Sequence, residues 1–165
     1  MFWDDVTRGT IGEFVVFNAI WKLPYVKQVI DVRDDLFFQS VDVDFLVCDK
    51  DRQFTWLEVK TDYKTYETGN VIYELTTNGN PGCLEKTRAS VIAFYVPQSG
   101  NIYLCKTDAL RRCVRNNDYP LKEMGQCSKG YIVPLGDLER FGVVIRMLKT
   151  PPLMKGDNNG ADQKI

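Results

Sequence analysis

The chain has 165 residues, of which 44% are hydrophobic and 26% are charged, and its formal net charge is −1. This composition is typical of one ordinary globular domain, and no apolar run approaches the ~20 residues that span a bilayer. Five dispersed cysteines without a C-x-x-C pair, and the absence of histidine from the sequence, argue against a disulfide framework, a zinc site and a histidine-based catalytic triad.

Any chemistry must therefore use carboxylates and lysine, with or without a metal ion. The N-terminal sequence MFWDDVTRGT lacks the basic start and long apolar stretch of a secretion signal, so we expect a soluble, cytoplasmic protein.

Charge is unevenly distributed along the chain. Residues 31–62 hold nine acidic and four basic residues, whereas residues 101–130 hold six basic and three acidic ones.

The first predicted element is a helix over residues 10–24. Thr10 is a suitable N-cap with Glu13 three residues later, as in a capping box, and Pro24 ends the helix. Apolar residues cover most of its circumference, so we expect this helix to be largely buried against a sheet.

Apolar runs bounded by turn residues predict the strands. The short turn DKDR between the second and third strands indicates a hairpin, and Pro134 places the last strand at a sheet edge. The predicted strands are residues 25–32, 40–49, 53–60, 70–75, 91–97, 101–106 and 130–135.

Three further segments are compatible with helices. Residues 83–89 form a helix or turn, and residues 107–117 form an amphipathic helix with its arginines on one side. Residues 137–148 have helical spacing but also a β-branched run, so a helix there competes with a strand. The predicted domain spans residues 1–148, and the polar segment 149–165, which contains proline and glycine, is predicted to be a flexible tail.

The segment WLEVKTD carries an unusual pairing of charges. In a strand, Glu58 and Lys60 fall on one face and Leu57 on the other. Asp42 and Asp44 share a face of the preceding predicted strand, so the hairpin brings several ionisable groups together. Like charges packed in this way are unfavourable unless a cation binds between them. Carboxylates without histidine or thiolate suit Mg²⁺ or Mn²⁺.

The sequence has an acid in the first helix (Glu13), an aspartate on one strand (Asp44) and Glu-x-Lys on the next (Glu58 and Lys60). This pattern resembles that of the PD-(D/E)XK nuclease superfamily, whose fold is shared with type II restriction endonucleases and Holliday-junction resolvases. The likeness extends over residues 10–115, and the sequence after Lys60 is also similar to small nucleases of phages and mobile elements. It implies an α/β fold of the restriction-endonuclease-like kind, with a central mixed β-sheet flanked by α-helices.

The resemblance also implies roles for individual residues. Asp44 and Glu58 become the metal ligands, with the backbone carbonyl of Val59 as a third. Lys60 becomes the catalytic lysine. Glu13 becomes the acid that contacts the metal through water or binds a second ion.

Asp42 competes with Asp44 for the ligand role. We prefer Asp44 because the apolar run 45–47 follows it, as in the superfamily, although Val43 stands where the superfamily's nominal pattern has proline. Asp42 and Glu74 could add further carboxylates around the site or lie on the surface.

Residues in two basic segments elsewhere are candidates for contacts with the DNA backbone. A solvated turn or a solvated helix face would equally explain their presence. The candidates are Lys86, Thr87, Arg88, Arg111, Arg112 and Arg115.

Together these features predict a Mg²⁺-dependent deoxyribonuclease that hydrolyses phosphodiester bonds with a metal-activated water. A homodimer is compatible with this function, since cutting two strands often needs two sites, although no residue points to one. One alternative is a nuclease-like module that binds nucleic acid or a partner protein without turnover. Another is an enzyme acting on a different phosphate substrate, against which the absence of a P-loop argues.

Overall fold

The computed structural model describes residues 2–124 and 127–153. Its helices are α1 (Phe2–Trp21), α2 (Leu36–Ser40), α3 (Thr65–Thr68), α4 (Cys83–Lys86), α5 (Thr107–Asn116) and α6 (Leu135–Arg140). Its strands are β1 (Val26–Asp31), β2 (Phe45–Asp49), β3 (Phe54–Thr61), β4 (Asn70–Thr77), β5 (Asn80–Pro81), β6 (Val91–Val96), β7 (Asn101–Lys106), β8 (Leu121–Met124), β9 (Ser128–Pro134) and β10 (Val144–Lys149).

A six-stranded mixed sheet forms the centre of the fold, in the order β1-β2-β3-β6-β7-β10. Within this sheet β3 and β6 pair in parallel and the other neighbours are antiparallel, including the predicted β2–β3 hairpin. The connection from β3 to β6 contains α3, α4 and two strands of a second sheet, whose order is β5-β4-β9-β8. The predicted α/β class, with a central mixed sheet flanked by helices, is confirmed.

Helix α1 covers one face of the central sheet. Its Val16 and Ile20 are buried in a cluster with Leu57 and Val59 of β3. The other face packs in a second cluster with β4, α4 and α5. The prediction of a largely buried first helix holds for one side only, because Phe14 on the opposite side is 67% exposed. None of the helices formed by the described residues is both long and apolar enough to cross a membrane.

The capping box predicted at Thr10 is wrong. Helix α1 already begins at Phe2, so Thr10 and Glu13 lie inside it. A threonine marks a helix start only where the preceding residues leave the helix, and residues 2–9 do not.

Gly12 allows α1 to approach the C-terminal end of β3. A Cβ atom at Gly12 would lie 1.7 Å from the side-chain oxygen of Thr61. Only glycine can occupy this contact without displacing one of the two elements. The close approach places Glu13, the next residue, above the end of β3 that carries Lys60.

The predicted strand 40–49 is shorter than expected. Residues 36–40 form the single turn α2, which is capped by the Asp35 carboxylate accepting from the backbone N–H groups of Phe37 and Phe38. Asp42 then adopts a left-handed conformation with φ of 47°, and β2 begins only at Phe45. The prediction that Asp42 and Asp44 share one strand face is therefore wrong.

The C-terminal predictions also need correction. The predicted helix 137–148 is split: α6 ends at Arg140, Gly142 turns the chain with φ of 66°, and the β-branched run enters β10. This segment forms a strand because its β-branched residues favour extended backbone and β10 pairs with β7.

The strand containing Pro134 is not at a sheet edge, because β9 lies between β4 and β8. Pro134 is tolerated at the end of β9, beyond the part of the strand that pairs with β8. Of the predicted tail, Thr150 and Leu153 donate backbone hydrogen bonds to Gly100 and Pro97. Residues 154–165 lie outside the described residues.

Substitution of Gly12 tests the packing of α1 on β3. Gly12→Ala should lower the free energy of unfolding by about 1–3 kcal/mol, since the added methyl group overlaps Thr61. Gly136→Ala is the matched control, because a methyl group added to this helical glycine would meet no neighbour within 4 Å. It should leave stability unchanged or raise it by about 0.5–1 kcal/mol. Urea unfolding compares the two variants, and equal stabilities would contradict the close approach.

Candidate active site

Strand β3 presents Glu58 and Lys60 on the face that packs against α4, as their alternation predicts. The Glu58 carboxylate is 6% exposed and its Oε1 lies 2.8 Å from Nζ of Lys60, which is 37% exposed. The thiol of Cys83, on α4, donates to the same Oε1 at 3.3 Å. The Glu58 carboxylate is thus buried, whereas the Lys60 side chain is partly exposed to solvent.

Asp44 immediately precedes β2, at the open end of the β2–β3 hairpin. Its backbone N–H donates to the carbonyl of Leu57 at 2.9 Å, and its Oδ2 accepts from the backbone N–H of Val59 at 2.8 Å. The Asp44 side chain therefore occupies the position on the β2-facing edge of β3 where the backbone would pair if β2 began earlier in the chain. Because alternate residues of a strand direct their N–H and C=O groups to the same neighbour, the Val59 carbonyl faces this edge as well.

The electrostatics of the two carboxylates show that they are close and under-compensated. Burial, followed by the negative charge of Glu58, raises the pKa of Asp44 to about 7. Burial also raises the pKa of Glu58, although Lys60 opposes this shift. Burial lowers the pKa of Lys60, but the contacts with Glu58 and Cys83 together outweigh it and the net shift is upward. The cluster carries more negative charge than a single lysine neutralises.

The oxygen donors of this site suit Mg²⁺ or Mn²⁺, which do not require a complete cage of protein ligands. Among residues 2–124 and 127–153, no three acidic or cysteine side chains are arranged to hold a metal ion by themselves. Magnesium keeps several waters and needs only one or two carboxylates. Asp44 and Glu58, with the Val59 carbonyl facing the same edge, provide that number of oxygen donors.

Glu13 reaches the site from α1 but is already engaged. Its Oε2 lies 2.6 Å from Nη1 of Arg33, whose guanidinium also binds Asp31. Its charge contributes to the raised pKa of Asp44. The structure therefore brings Glu13 near Asp44, with Arg33 as its present partner.

Asp42 lies farther out than Asp44. Its carboxylate pairs with Nζ of Lys86 at 3.2 Å, and its backbone carbonyl accepts the Thr87 hydroxyl. Asp42 still acts on Glu58 through its charge, raising the pKa of that carboxyl. Asp44, which is bonded directly to β3, has the more central position of the two.

Glu74 supports the site from the second sheet. Its two carboxylate oxygens accept the Thr77 hydroxyl and the backbone N–H of Cys83. Glu74 thereby fixes the start of α4, the element that carries the Cys83 thiol onto Glu58.

Of the six candidates for DNA contacts, four have exposed side chains, whereas the side chains of Thr87 and Arg111 are bonded within the fold. Thr87 is 1% exposed, and Arg111 donates to the carbonyls of Leu84, Glu85 and Thr87 at the end of α4. Neither placement fits the predicted contact with DNA, because these side chains are occupied in holding α4. The exposed candidates are Lys86, Arg88, Arg112 and Arg115.

Two residues of the site have no role in the sequence prediction. Cys83 looks like an ordinary core cysteine, and only the long connection from β3 to β6 brings it to Glu58. Arg33 lies two residues after Asp31, a spacing that could have indicated their ion pair, but its contact with Glu13 is tertiary.

No protein-family model and no curated protein matches the sequence. Among solved structures, the chain is similar to a bacterial homing endonuclease, I-Ssp6803I, with 18% sequence identity and a TM-score of 0.46. The likeness covers 62% of this chain and 68% of the other. A likeness this distant assigns no role to any residue.

The raised pKa of Asp44 predicts how stability depends on pH in the metal-free protein. The folded state binds a proton up to about pH 7 that the unfolded state releases near its ordinary pKa of 3.8. Asp44 therefore costs stability increasingly as pH rises from about 4 to 7, and fully above that range. Asp44→Asn, which keeps the acceptor for Val59, should be more stable than the wild type by on the order of 2 kcal/mol at pH 8.

The advantage of Asp44→Asn should disappear at pH 4, as measured by thermal unfolding in EDTA across this range. Asp51→Asn, in the exposed turn between β2 and β3, is the control and should show no such pH-dependent gain. A gain for Asp44→Asn that grows toward low pH would contradict the assignment.

Proposed function

We propose that this protein is a Mg²⁺-dependent deoxyribonuclease of the PD-(D/E)XK kind. The observation that supports this most directly is the buried Glu58, paired with Lys60 on β3 beside the Asp44 carboxylate. A carboxylate pair of this kind lowers stability in the free protein, so its arrangement is better explained by a ligand than by folding.

Asp44, Glu58 and the Val59 carbonyl would hold the cation, and Mn²⁺ could replace Mg²⁺. When bound, such a cation polarises a phosphodiester and lowers the pKa of a bound water. Glu13 would contact the cation through water or bind a second ion after exchanging its contact with Arg33.

Lys60 would act on the phosphate itself. Its ammonium is held by Glu58, but the side chain remains 37% exposed, so it can donate a hydrogen bond to a non-bridging phosphate oxygen at the mouth of the site. A fixed positive charge there stabilises the negative charge that develops during hydrolysis. Cys83 and Glu58 restrict the lysine from the other side, which orients Nζ toward the substrate.

The exposed bases would hold the DNA backbone around this centre. Lys86 pairs with Asp42 and is 45% exposed, so its ammonium can exchange that partner for a phosphate. Arg88 is exposed in the same segment. Contacts of this kind are independent of sequence and weaken as salt concentration rises.

The principal rival is a nuclease-like module that binds DNA without cleaving it. Phosphate contacts require exposed cations, whereas a buried carboxylate beside a second acid repels a phosphate. The positions of Glu58 and Asp44 are therefore harder to explain in a binding-only protein. A homodimer stays a prediction.

Cleavage of DNA in Mg²⁺ or Mn²⁺ tests the proposed activity. Lys60→Ala and Glu58→Gln should each reduce the rate by about 10²-fold or more, the usual size of a lost catalytic group. Lys27→Ala, on the exposed face of β1, is the control and should cleave at the wild-type rate. Equal cleavage by all four proteins would identify a contaminating nuclease and exclude this site.

A further inference from the structure

A cleft of about 420 Å³ opens beside Lys60, between the central sheet and the second sheet. One wall is the segment 60–64 at the end of β3, and the opposite wall includes Ile72 and Glu74 of β4. Lys60 thus belongs to both the candidate active site and the cleft. Any group bound in the cleft would be a direct neighbour of a phosphate held at Lys60.

The floor of the cleft is apolar and formed by buried side chains. It is formed in part by Leu84 and Phe94, which are 1% and 2% exposed. Ile72 adds a half-buried aliphatic wall. An aromatic or aliphatic group would bury apolar surface there without rearrangement of the floor.

The rim of the cleft is cationic and aromatic. Tyr63 lines it, and the guanidinium of Arg8 lies 5.3 Å from the centre of the Tyr63 ring. Lys64 is exposed at the same rim. Lys60 and Lys64 thus place two positive charges around an apolar floor, and with the Tyr63 ring they suit a ligand with a flat ring and a phosphate.

The two acids in the cleft are engaged by the protein. The Asp62 carboxylate accepts from the backbone N–H groups of Lys64 and Thr65. Glu74 accepts from the Thr77 hydroxyl and the Cys83 N–H. Their charges are therefore partly compensated by donors, which reduces their repulsion of a phosphate.

We propose that this cleft binds one unpaired nucleotide adjacent to the phosphate that is cleaved. The inference rests on the proposed nuclease function and specifies its substrate. A volume of about 420 Å³ falls in the range of small-ligand sites, about 300–1,000 Å³, and is too small for a base pair with its backbones. A base inside a duplex can reach such a cleft only after extrusion, which costs a few kcal/mol, whereas an unpaired base enters without that cost. The enzyme should therefore prefer DNA with an unpaired nucleotide at the cleavage point over intact duplex.

Cleavage of matched substrates tests this preference. The substrates are a single-stranded oligonucleotide, a duplex with one unpaired nucleotide and a fully paired blunt duplex of the same sequence. The wild type should cleave the first two with a kcat/KM at least tenfold higher than the third. Ile72→Trp, which fills the cleft, should reduce this ratio at least fivefold, mainly by raising KM for the unpaired substrates.

Ile132→Trp is the matched control. Ile132 pairs with Ile72 across β4 and β9 and is likewise half-buried. Ile72 lines both this cleft and the adjoining one, whereas Ile132 lines only the adjoining cleft. This variant should keep the wild-type ratio. Equal cleavage of all three substrates by the wild type, or an unchanged ratio in folded Ile72→Trp, would overturn the inference.

Binding in EDTA, followed by fluorescence anisotropy of labelled oligonucleotides, separates this inference from the proposed function. The cleft assignment stands if the single strand binds at least tenfold tighter than the duplex and Ile72→Trp removes this difference. If the same protein cleaves no DNA in Mg²⁺ or Mn²⁺, the nuclease assignment alone fails. Equal binding of single strand and duplex overturns the cleft assignment. Displacement of the labelled strand by an equal concentration of a deoxynucleoside monophosphate would assign the cleft to free nucleotides and overturn the strand proposal.

Lys64→Glu provides a second variant should Ile72→Trp fail to fold, as judged by circular dichroism. Lys64 is exposed, and its contact with Asp62 is made by its backbone N–H, so the fold should tolerate the change. The variant should weaken single-strand binding at least fivefold. Unchanged affinity would overturn the role of the rim.

Discussion

The buried carboxylate of Glu58 is the constraint on which the rest of the site depends. A carboxylate that is 6% exposed must be paired or hydrogen-bonded to remain charged in the folded protein. Lys60 supplies the charge, and Cys83 supplies a donor from α4. The position of α4 is in turn fixed by Glu74 at its start and by Arg111 at its end. The connection from β3 to β6 therefore encloses Glu58 through α4.

The second carboxylate changes the balance of charge. Asp44 is bound to the edge of β3 by the Val59 N–H, which holds it near Glu58 although burial and repulsion raise its pKa. Such an arrangement reduces stability in the free protein and is retained where activity compensates, as in many active sites. A divalent cation would reverse the balance by binding both carboxylates. Under the proposed function, stability and activity would therefore make opposite demands on Asp44.

The local pattern of β3 is enough to place Glu58 and Lys60 together, because a strand alternates strictly and a single residue pair defines its face. The apolar run after Asp44 singles out that residue, and the structure places it against β3, but through a hydrogen bond at the strand end rather than a shared strand face. Its neighbour Asp42 cannot be placed from sequence, because no periodic pattern reveals the left-handed turn there. Thr87 and Arg111 look like surface residues in sequence, yet they hold α4 through tertiary contacts. Contacts between distant segments, such as Gly12 with Thr61 or Cys83 with Glu58, leave no local signal at all.

The most direct test of the central claim is the anomalous diffraction of crystals grown with Mn²⁺. The account predicts a manganese peak bounded by the Asp44 and Glu58 carboxylates and the Val59 carbonyl, which disappears in crystals of Asp44→Asn. A protein that shows no peak at these residues, or binds manganese only elsewhere, would contradict a metal-dependent active site on β3.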